Sequence, residues 1–516
     1  MRVPRLRAFV LAAPPFADLL RPGALRRARA LSAFVLGAAA SVLSVARPAA
    51  AQPAPPAPAA DAAPAAPPEI APTPSSPPPE IAPARADAVE PPPAPARSSQ
   101  PEITGQPSAE ASSSKKSEPA VSIGPQGFVF SSPDKAFQLR PRITVQADAR
   151  IFVNDEHRLT DTMVLRRARP YLDGTLAKSV TFRLMPDFAD GKAVVYDVWA
   201  DLKAAQFFRV RVGKFKVPFG LERLQSDYAY YLMERAYPTS LAPNRDIGAQ
   251  IHGDFAGERL GYAIGVFNGV PDNQLSDGDV DDNKEIAARV WSRPFGVDGS
   301  RWLKGLVVGA AMTRGEKNGS AKNAYLPSYS SIGQNAFFNY LVDAATPPVP
   351  AATAVAGGLH QRATGHLYYS GGPVGILGEY VLSQYRVARS GVSSLLNFQA
   401  WQAMASLVVT GEDADFDGVR PRNNVDVSKG HWGAFEIVLR YSELEASRGA
   451  FPVFADPTKS ARNAAELAAG VNWFVNAHTK VSADYAHTDF RGGATAAAGG
   501  NRDAEQVVLM RTQINF

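Results

Sequence analysis

From about residue 128 onward, apolar and polar residues alternate along the chain with a period of two. In FQLRPRITVQADARIFV (137–153), Phe137, Leu139, Pro141, Ile143, Val145, Ala147, Ala149, Ile151 and Val153 share one face. Gln138, Arg140, Arg142, Thr144, Gln146, Asp148 and Arg150 share the other. A helix would mix these two sets, whereas an extended strand separates them. The pattern recurs at 180–188, where Val180, Phe182, Leu184 and Phe188 oppose Thr181, Arg183 and Asp187. It recurs again in GAFEIVLRYS (433–442), where Phe435, Ile437, Leu439 and Tyr441 oppose Glu436, Arg440 and Ser442. Sixteen strands are expected, near 138–152, 163–176, 180–188, 195–204, 207–216, 247–256, 260–268, 284–293, 306–313, 360–370, 374–383, 396–410, 431–443, 466–475, 479–488 and 505–516.

A soluble β-sandwich also alternates, but three features favour a transmembrane barrel. The segments approach the ten or so residues of a tilted membrane strand, their number is even, and their connections alternate in length. Connections after even-numbered strands are brief, as at 178–179, 205–206, 257–259, 371–373 and 477–478. Those after odd-numbered strands are often long, as at 217–246, 314–359, 444–465 and 489–504. Outer-membrane barrels place short turns in the periplasm and long loops outside, which puts both ends of this barrel in the periplasm. The twenty-residue connection 411–430 falls on the short-turn side and breaks the rule. The expected architecture is all-β: a closed, 16-stranded antiparallel transmembrane barrel spanning 128–516. Its last strand, EQVVLMRTQINF, would pair with the first, because an open edge in lipid leaves backbone groups unsatisfied.

The segment ahead of the barrel has a different texture. Arg26, Arg27 and Arg29 precede the apolar run ALSAFVLGAAASVLSVA (30–46), and RPAAAQ (47–52) offers an Ala-x-Ala site, so 1–51 reads as a cleaved signal peptide. Residues 52–127 are rich in Pro and Ala, poor in aromatics, and repeat PPEIAP at 67–72 and 78–83. Such a composition cannot bury a core, and reads as a disordered, semi-stiff spacer on the periplasmic side. No run beyond residue 51 approaches the ~18 apolar residues of a membrane helix.

Composition adds little until charge is located. The 516 residues include 43 prolines and no cysteine, so no disulfide framework exists. The formal charge of +5 is no sign of nucleic-acid binding, because residues 1–51 alone hold eight arginines against one acid. Within 138–216, however, 15 Lys and Arg face 9 Asp and Glu, a net of +6, while the whole of 128–516 carries a net of +2. Positive charge is concentrated in the first five strands. Alternation turns Arg140, Arg142, Arg150, Arg167, Arg169, Arg183, Arg209 and Arg211 toward the lumen. Arginines there favour anions through paired, permanently charged donors; the plainer alternative pairs them with Asp148, Asp187 and Asp201 on a generally wet wall.

Several stretches, in order, resemble the phosphate-selective (O/P-type) porin family. They are LRRARPYLDGTL (165–176), VGKFKVPFGLE (212–222), YLMERAYPTSLAPNRDIGAQIHGDF (231–255), YAIGVFNG (262–269) and WGAFEIVLRYSELE (432–445). The TGE…GVRP stretch (410–421) is similar to the family's long turn and would account for the irregular connection. The resemblance implies a barrel that is usually trimeric, passes anions by diffusion, and folds its third loop into the lumen. That loop would be 217–246, with Arg223, Arg235 and Arg245 alongside Glu222, Asp227 and Glu234, and with Tyr228, Tyr230, Tyr231 and Tyr237 to pack it. The family's arginine pair at the start of the second strand matches Arg166 and Arg167. Adjacent residues on a regular strand cannot both point inward, so either a bulge turns one in or Arg167 alone lines the pore. The family's later lumen lysines find no matching positions here. Outer-membrane barrels also commonly end in phenylalanine, which implies that Phe516 is an assembly signal for the barrel-assembly machinery.

Other chemistry finds little support. DADFDG (413–418) opens like a calcium loop, but its twelfth position is Asn424 instead of a bidentate glutamate. The acidic SDGDVDDN (276–283) reads as a solvated outer loop. The seven histidines, at 157, 252, 360, 366, 431, 478 and 487, show no metal spacing, and no Gly-x-Ser-x-Gly elbow is present. No metal, cofactor, catalytic residue or nucleic-acid partner is expected. The partners expected are outer-membrane lipid, small anionic solutes and two further copies of the chain. Three functions remain: an anion-favouring porin, a general or other solute-specific porin with a balanced lumen, and a structural protein whose Pro-rich arm reaches the cell wall.

Overall fold

The computed structural model describes residues 120–516 apart from 125–126, 154–158, 276–277, 280, 301 and 344–351. The expected signal peptide, almost all of the Pro/Ala-rich spacer and His157 lie outside the described residues.

Among the described residues, twenty strands follow one another. Two short ones, β1 (Ala120–Gly124) and β2 (Gly127–Ser131), form a hairpin ahead of the wall. The wall begins with β3 (Gln138–Phe152), β4 (Thr162–Leu176), β5 (Val180–Asp187), β6 (Val194–Lys203), β7 (Arg209–Lys216), β8 (Arg245–Phe255), β9 (Leu260–Phe267), β10 (Glu285–Ser292) and β11 (Val307–Asn318). The connection that follows carries the small hairpin β12 (Tyr329–Ser330) and β13 (Ala336–Phe338). The wall resumes with β14 (Val355–Gly371), β15 (Val374–Arg389), β16 (Val392–Val408), β17 (Ala434–Glu445), β18 (Ala461–Phe474), β19 (Thr479–Gly492) and β20 (Glu505–Asn515).

Each wall strand pairs antiparallel with the next, and β20 pairs with β3 from Val507 opposite Phe152 to Asn515 opposite Thr144. The wall is therefore a closed, 16-stranded antiparallel barrel, as the alternation requires. Phe516 continues the seam by exchanging two 2.9 Å backbone hydrogen bonds with Ile143, and its ring meets Phe128 edge-on at 5.4 Å. Burial is inverted relative to a soluble protein. Met163, Leu165, Leu184, Val212, Ile264 and Ile286 stand exposed on the outer face, while Gln146, Asp148, Arg167 and Arg511 are buried inside. This is the distribution that a lipid-facing barrel wall demands.

Several element boundaries differ from expectation, with β14 and β18 each beginning five residues early. β1 lies within the stretch assigned to the spacer. The strands β15 and β16 are also longer than expected, joined by a two-residue turn at Ser390 (φ 51°) and Gly391 (φ 79°). Successive positive φ angles make the tightest hairpin. The alternation fades over 384–395 because a strand that has left the lipid no longer needs an apolar outer face, although its backbone ladder continues.

Among the connections that turn into the barrel, three shape its interior most. The short-turn connection 409–433 enters far enough for Asp415 O to accept from Tyr231 and Phe416 O from Gln225. From the other end, Tyr329, Phe337 and Phe338 pack on Tyr237, Phe398 and Phe490. The third is 217–244, and its backbone is tied to the wall residue by residue. Gln146 donates to Asp227 O (3.1 Å), Gln513 to Tyr228 O (2.9 Å), Lys480 to Tyr230 O (2.7 Å), Asn472 to Tyr231 O (2.7 Å), Arg511 to Met233 O (2.9 Å) and Arg440 to Glu234 O (2.9 Å). In return the wall's Asp484 accepts from Met233 N and Ser442 from Tyr237 N, while the loop's own Glu222 accepts from Ala236 N. A loop buried away from water needs such partners for its peptide groups. All six donors stand on β3 and β17–β20, so the loop backbone lies mainly against that half of the wall, while Arg166 and Arg169 of β4 and Lys216 of β7 reach it from the other side across two cavities.

Burial would push the Glu234 carboxyl up, but Arg166 at 2.9 Å, with Arg511 and Arg167 beyond, holds it down at about 2. A carboxylate held below its ordinary value contributes stability that is complete above that value and is lost as pH falls through about 2. The contribution is on the order of 2–3 kcal/mol. The loop should accordingly stay latched at pH 4, and single-channel traces at pH 4 and pH 7 should show equally quiet open states. Glu234→Gln should be noisy at both.

The seam pair tests the wall itself. Arg511 and Asp148 form a buried two-bond fork, with both contacts at 2.7 Å, across the β20–β3 junction. Removing one member leaves an unpaired buried charge, a loss of about 3–5 kcal/mol. Asp148→Asn should lower the temperature at which the folded barrel converts to the slow-migrating unfolded band on gels, and Asp148→Asn with Arg511→Gln should recover part of the loss.

Candidate functional site

The site forms where the inward loop approaches β4–β8. Its first element is an irregularity in β4. Gln146 of β3 pairs with Arg167 but Ala147 pairs with Leu165, so Arg166 is an extra residue in the ladder. This β-bulge brings both adjacent arginines to the inner face. Arg166 bonds Glu234 of the loop, and Arg167 bonds Gln146 Oε1 at 2.5 Å.

One carboxylate organises the centre. Asp227, in the loop, accepts from Arg169, from Tyr230 and from Arg235 (2.7 Å), while Arg167, Lys216 and Arg245 approach it at 3.8, 3.8 and 3.9 Å. Further acids hold the surrounding arginines by their edges: Asp187 takes Arg169 at 2.6 Å and Asp197 takes Arg245 at 2.9 Å. Aromatic faces hold others, with Arg169 4.0 Å and Arg245 4.5 Å from the Tyr196 ring and Arg235 4.2 Å from Tyr230. Arg223 is fixed by donating to Thr239 O and to the Asn273 side chain. The guanidiniums are thus set in place before any solute arrives.

Arg166, Arg167, Arg169, Arg223, Arg235 and Arg245 all border one cavity of about 370 Å³, and among the described residues that line it Asp227 is the one acid. A second cavity, of about 290 Å³, adjoins it toward the short-turn end and shares Arg169, Asp227 and Arg245 with it. Arg183 and Arg211 line this second cavity, held by Asp173 and Asp201. The remaining sequence-derived positions stand apart from the cluster. Arg140 bonds Gln138 near the short-turn end, Arg142 sits 6.0 Å from the Tyr171 ring, Arg209 is half-buried at the start of β7, and Arg150 is half-buried near the long-loop end. Arg245 is the first residue of β8 and no part of the loop, which ends at residue 244. The expected acid partners are present, although Asp148 takes Arg511 from across the seam and none of the arginines of its own strand.

Three contributors escaped the sequence reading. The central role of Asp227 depends on loop placement, which no local pattern encodes. Lys216 ends a regular strand in sequence, and nothing in the alternation marks its approach to Asp227. Arg289 on β10 lines the second cavity, and the alternation of segment 284–293 carried that signal: Glu285, Ala287, Arg289 and Trp291 share the inner face. Among the described residues no group of three or more His, Asp or Glu side chains is arranged to hold a metal ion.

Comparison with known proteins places this geometry. Among curated proteins no sequence match is found. Solved structures with a similar fold include the outer membrane channel DcaP of Acinetobacter baumannii (TM-score 0.47, 10% identity, covering 75% of this chain and 99% of that one). An anion-selective porin from Comamonas acidovorans (0.45, 10%, 74% and 100%) and a loop L8 deletion mutant of OmpT from Vibrio cholerae (0.45, 13%, 74% and 100%) are also similar. Residues 137–516 match the family model described as phosphate-selective porin O and P, and the chain belongs to that family of outer-membrane porins.

Proposed function

We propose that this porin passes small anions by passive diffusion, phosphate among them, through the arginine-lined passage between the inward loop and β4–β8. The observation that carries the proposal is the six-arginine cavity with a single acid among its described lining residues. An oxyanion entering it exchanges hydration for charge-assisted hydrogen bonds from planar forks. Asp227 keeps the guanidiniums from repelling one another apart and limits how tightly any anion is held, so that an anion can also leave. The adjoining cavity, with Arg183 and Arg211, continues the positive path toward the short-turn end. We place that end in the periplasm together with the N-terminal arm, and the working form as a homotrimer in outer-membrane lipid. Phe516, already paired into the seam, is in this reading the residue that the barrel-assembly machinery recognises.

Reversal potentials in planar bilayers under a KCl gradient test the selectivity, with chloride expected to permeate well ahead of potassium. Equal permeability of the two ions would refute it, and phosphate competition against chloride current tests the narrower substrate. One cationic charge about 4 Å from the ion path is worth ~1 kcal/mol in a water-like medium, about fivefold in local anion concentration. Arg235→Gln or Arg166→Gln should therefore lower the chloride-to-potassium permeability ratio several-fold, while Arg150→Gln, remote from the cluster, should change it far less.

A further inference from the structure

The second cavity differs in chemistry from the first. Its wall is built of guanidinium–aromatic pairs. Arg211 lies 4.2 Å from the Trp199 ring, Arg183 5.2 Å from Tyr171 and 5.8 Å from Trp199, and Arg289 4.5 Å from Trp291. All of these side chains line the same space of about 290 Å³, together with Phe215 and His252. In two of the arginines the hydrogen-bonding edge is taken: Arg183 forks onto Asp173 at 2.6 and 3.0 Å, and Arg211 donates to Asp201 at 2.8 Å. What these two offer a solute is a flat cationic face beside an aromatic ring.

Arg289 is different. Among the described residues no carboxylate forms an ion pair with it. Its one side-chain contact at hydrogen-bond range is a long 3.4 Å approach to His366 Nε2, and its Nε is buried without a partner. Its neighbours across the ladder, Ala263 on β9 and Ala311 on β11, are too small to fill the space beside it. An arginine that is enclosed, unpaired and flanked by alanines leaves room for a carboxylate that the chain itself does not supply.

We propose that the short-turn-side cavity is a binding subsite for a planar aromatic carboxylate of about one ring, its carboxylate on the Arg289 fork and its ring among Trp291, Trp199 and the guanidinium faces. The proposal rests on the anion-porin reading for access but concerns a different ligand class. A tetrahedral inorganic anion gains little here, because only one fork is open and the aromatic surface would stay wet. A flat ring covers that surface and stacks on the cationic faces. A space near 300 Å³, aromatic with one convergent charge, suits a small organic ligand.

The test uses the full-length protein in planar bilayers. Chloride current is blocked by benzoate, and separately by cyclohexanecarboxylate, which matches benzoate in charge and approximate size but is not flat. For the wild type, the expected half-blocking concentration of benzoate is roughly three- to fivefold below that of cyclohexanecarboxylate, and most sensitive from the short-turn side. Arg289→Gln should raise the benzoate value about tenfold or more, Arg289→Lys should restore only part of it, and Trp291→Leu should close the gap between the two acids. Equal block by the two acids in the wild type overturns the subsite without needing any variant. Unchanged benzoate block in Arg289→Gln overturns the assigned anchor. Reversal potential, measured in the same bilayers without either acid, reports separately on general anion preference, so its failure and the failure of the subsite are distinguishable.

Discussion

A barrel interior can hold a folded-in loop only if the peptide groups of the loop are paired there. In this protein the carbonyls of residues 227, 228, 230, 231, 233 and 234 all accept from inward side chains of β3 and β17–β20. The loop has little regular structure of its own beyond the turn Tyr237–Ser240, so the wall supplies what a helix or sheet would otherwise provide. The position of the site, the shape of the passage and the separation of the two cavities depend on this set of bonds.

The same bonds divide the positive charge of the lumen by task. Arg440, Arg511 and Lys480 are spent on loop carbonyls and on Glu466, Asp148 and Glu436 nearby. Removing any of them removes an anchor rather than a solute contact. The arginines of β4, β8 and the loop itself border the cavity instead, where Asp227 gathers Arg167, Arg169, Arg235 and Arg245, while Glu234 holds Arg166 and Asn273 holds Arg223. Net charge over the lumen does not describe the cavities, because Arg440, Arg511 and Lys480 are engaged by the loop backbone while the arginines of β4 and β8 border open volume. Aromatic rings beside the cavity arginines hold them in place: Tyr196 and Tyr230 stand at the first cavity, and Trp199, Tyr171 and Trp291 stand at the second.

Much of this is legible in the sequence. Inward and outward faces followed from alternation, because the two sides of a barrel wall meet lipid and water and each excludes the residues of the other. The inner placement of Arg167, Arg169, Arg183 and Arg211 is of this kind, as is the pairing of the last strand with the first. The uncertainty at Arg166 and Arg167 was legible too: two adjacent arginines pose the question of a bulge. The answer required the register of β3 against β4, a property of two strands and not of one.

What the sequence by itself determined is therefore whatever depends on the strand's own two-residue period: fold class, strand number, and the face each residue presents. The tertiary structure alone decided which inward residues meet. Arg245 and Asp227 are 18 positions apart, Arg511 and Met233 are 278 apart, and Arg289 meets the ring of Trp291 in a space whose far side is built by β4–β7. Such meetings are fixed by closure of the barrel and by the path of a loop that hydrogen-bonds to distant strands. Neither leaves a mark on local periodicity, because the donors that hold the loop, Gln146, Asn472, Lys480 and Gln513, look in sequence like any other polar residue facing water.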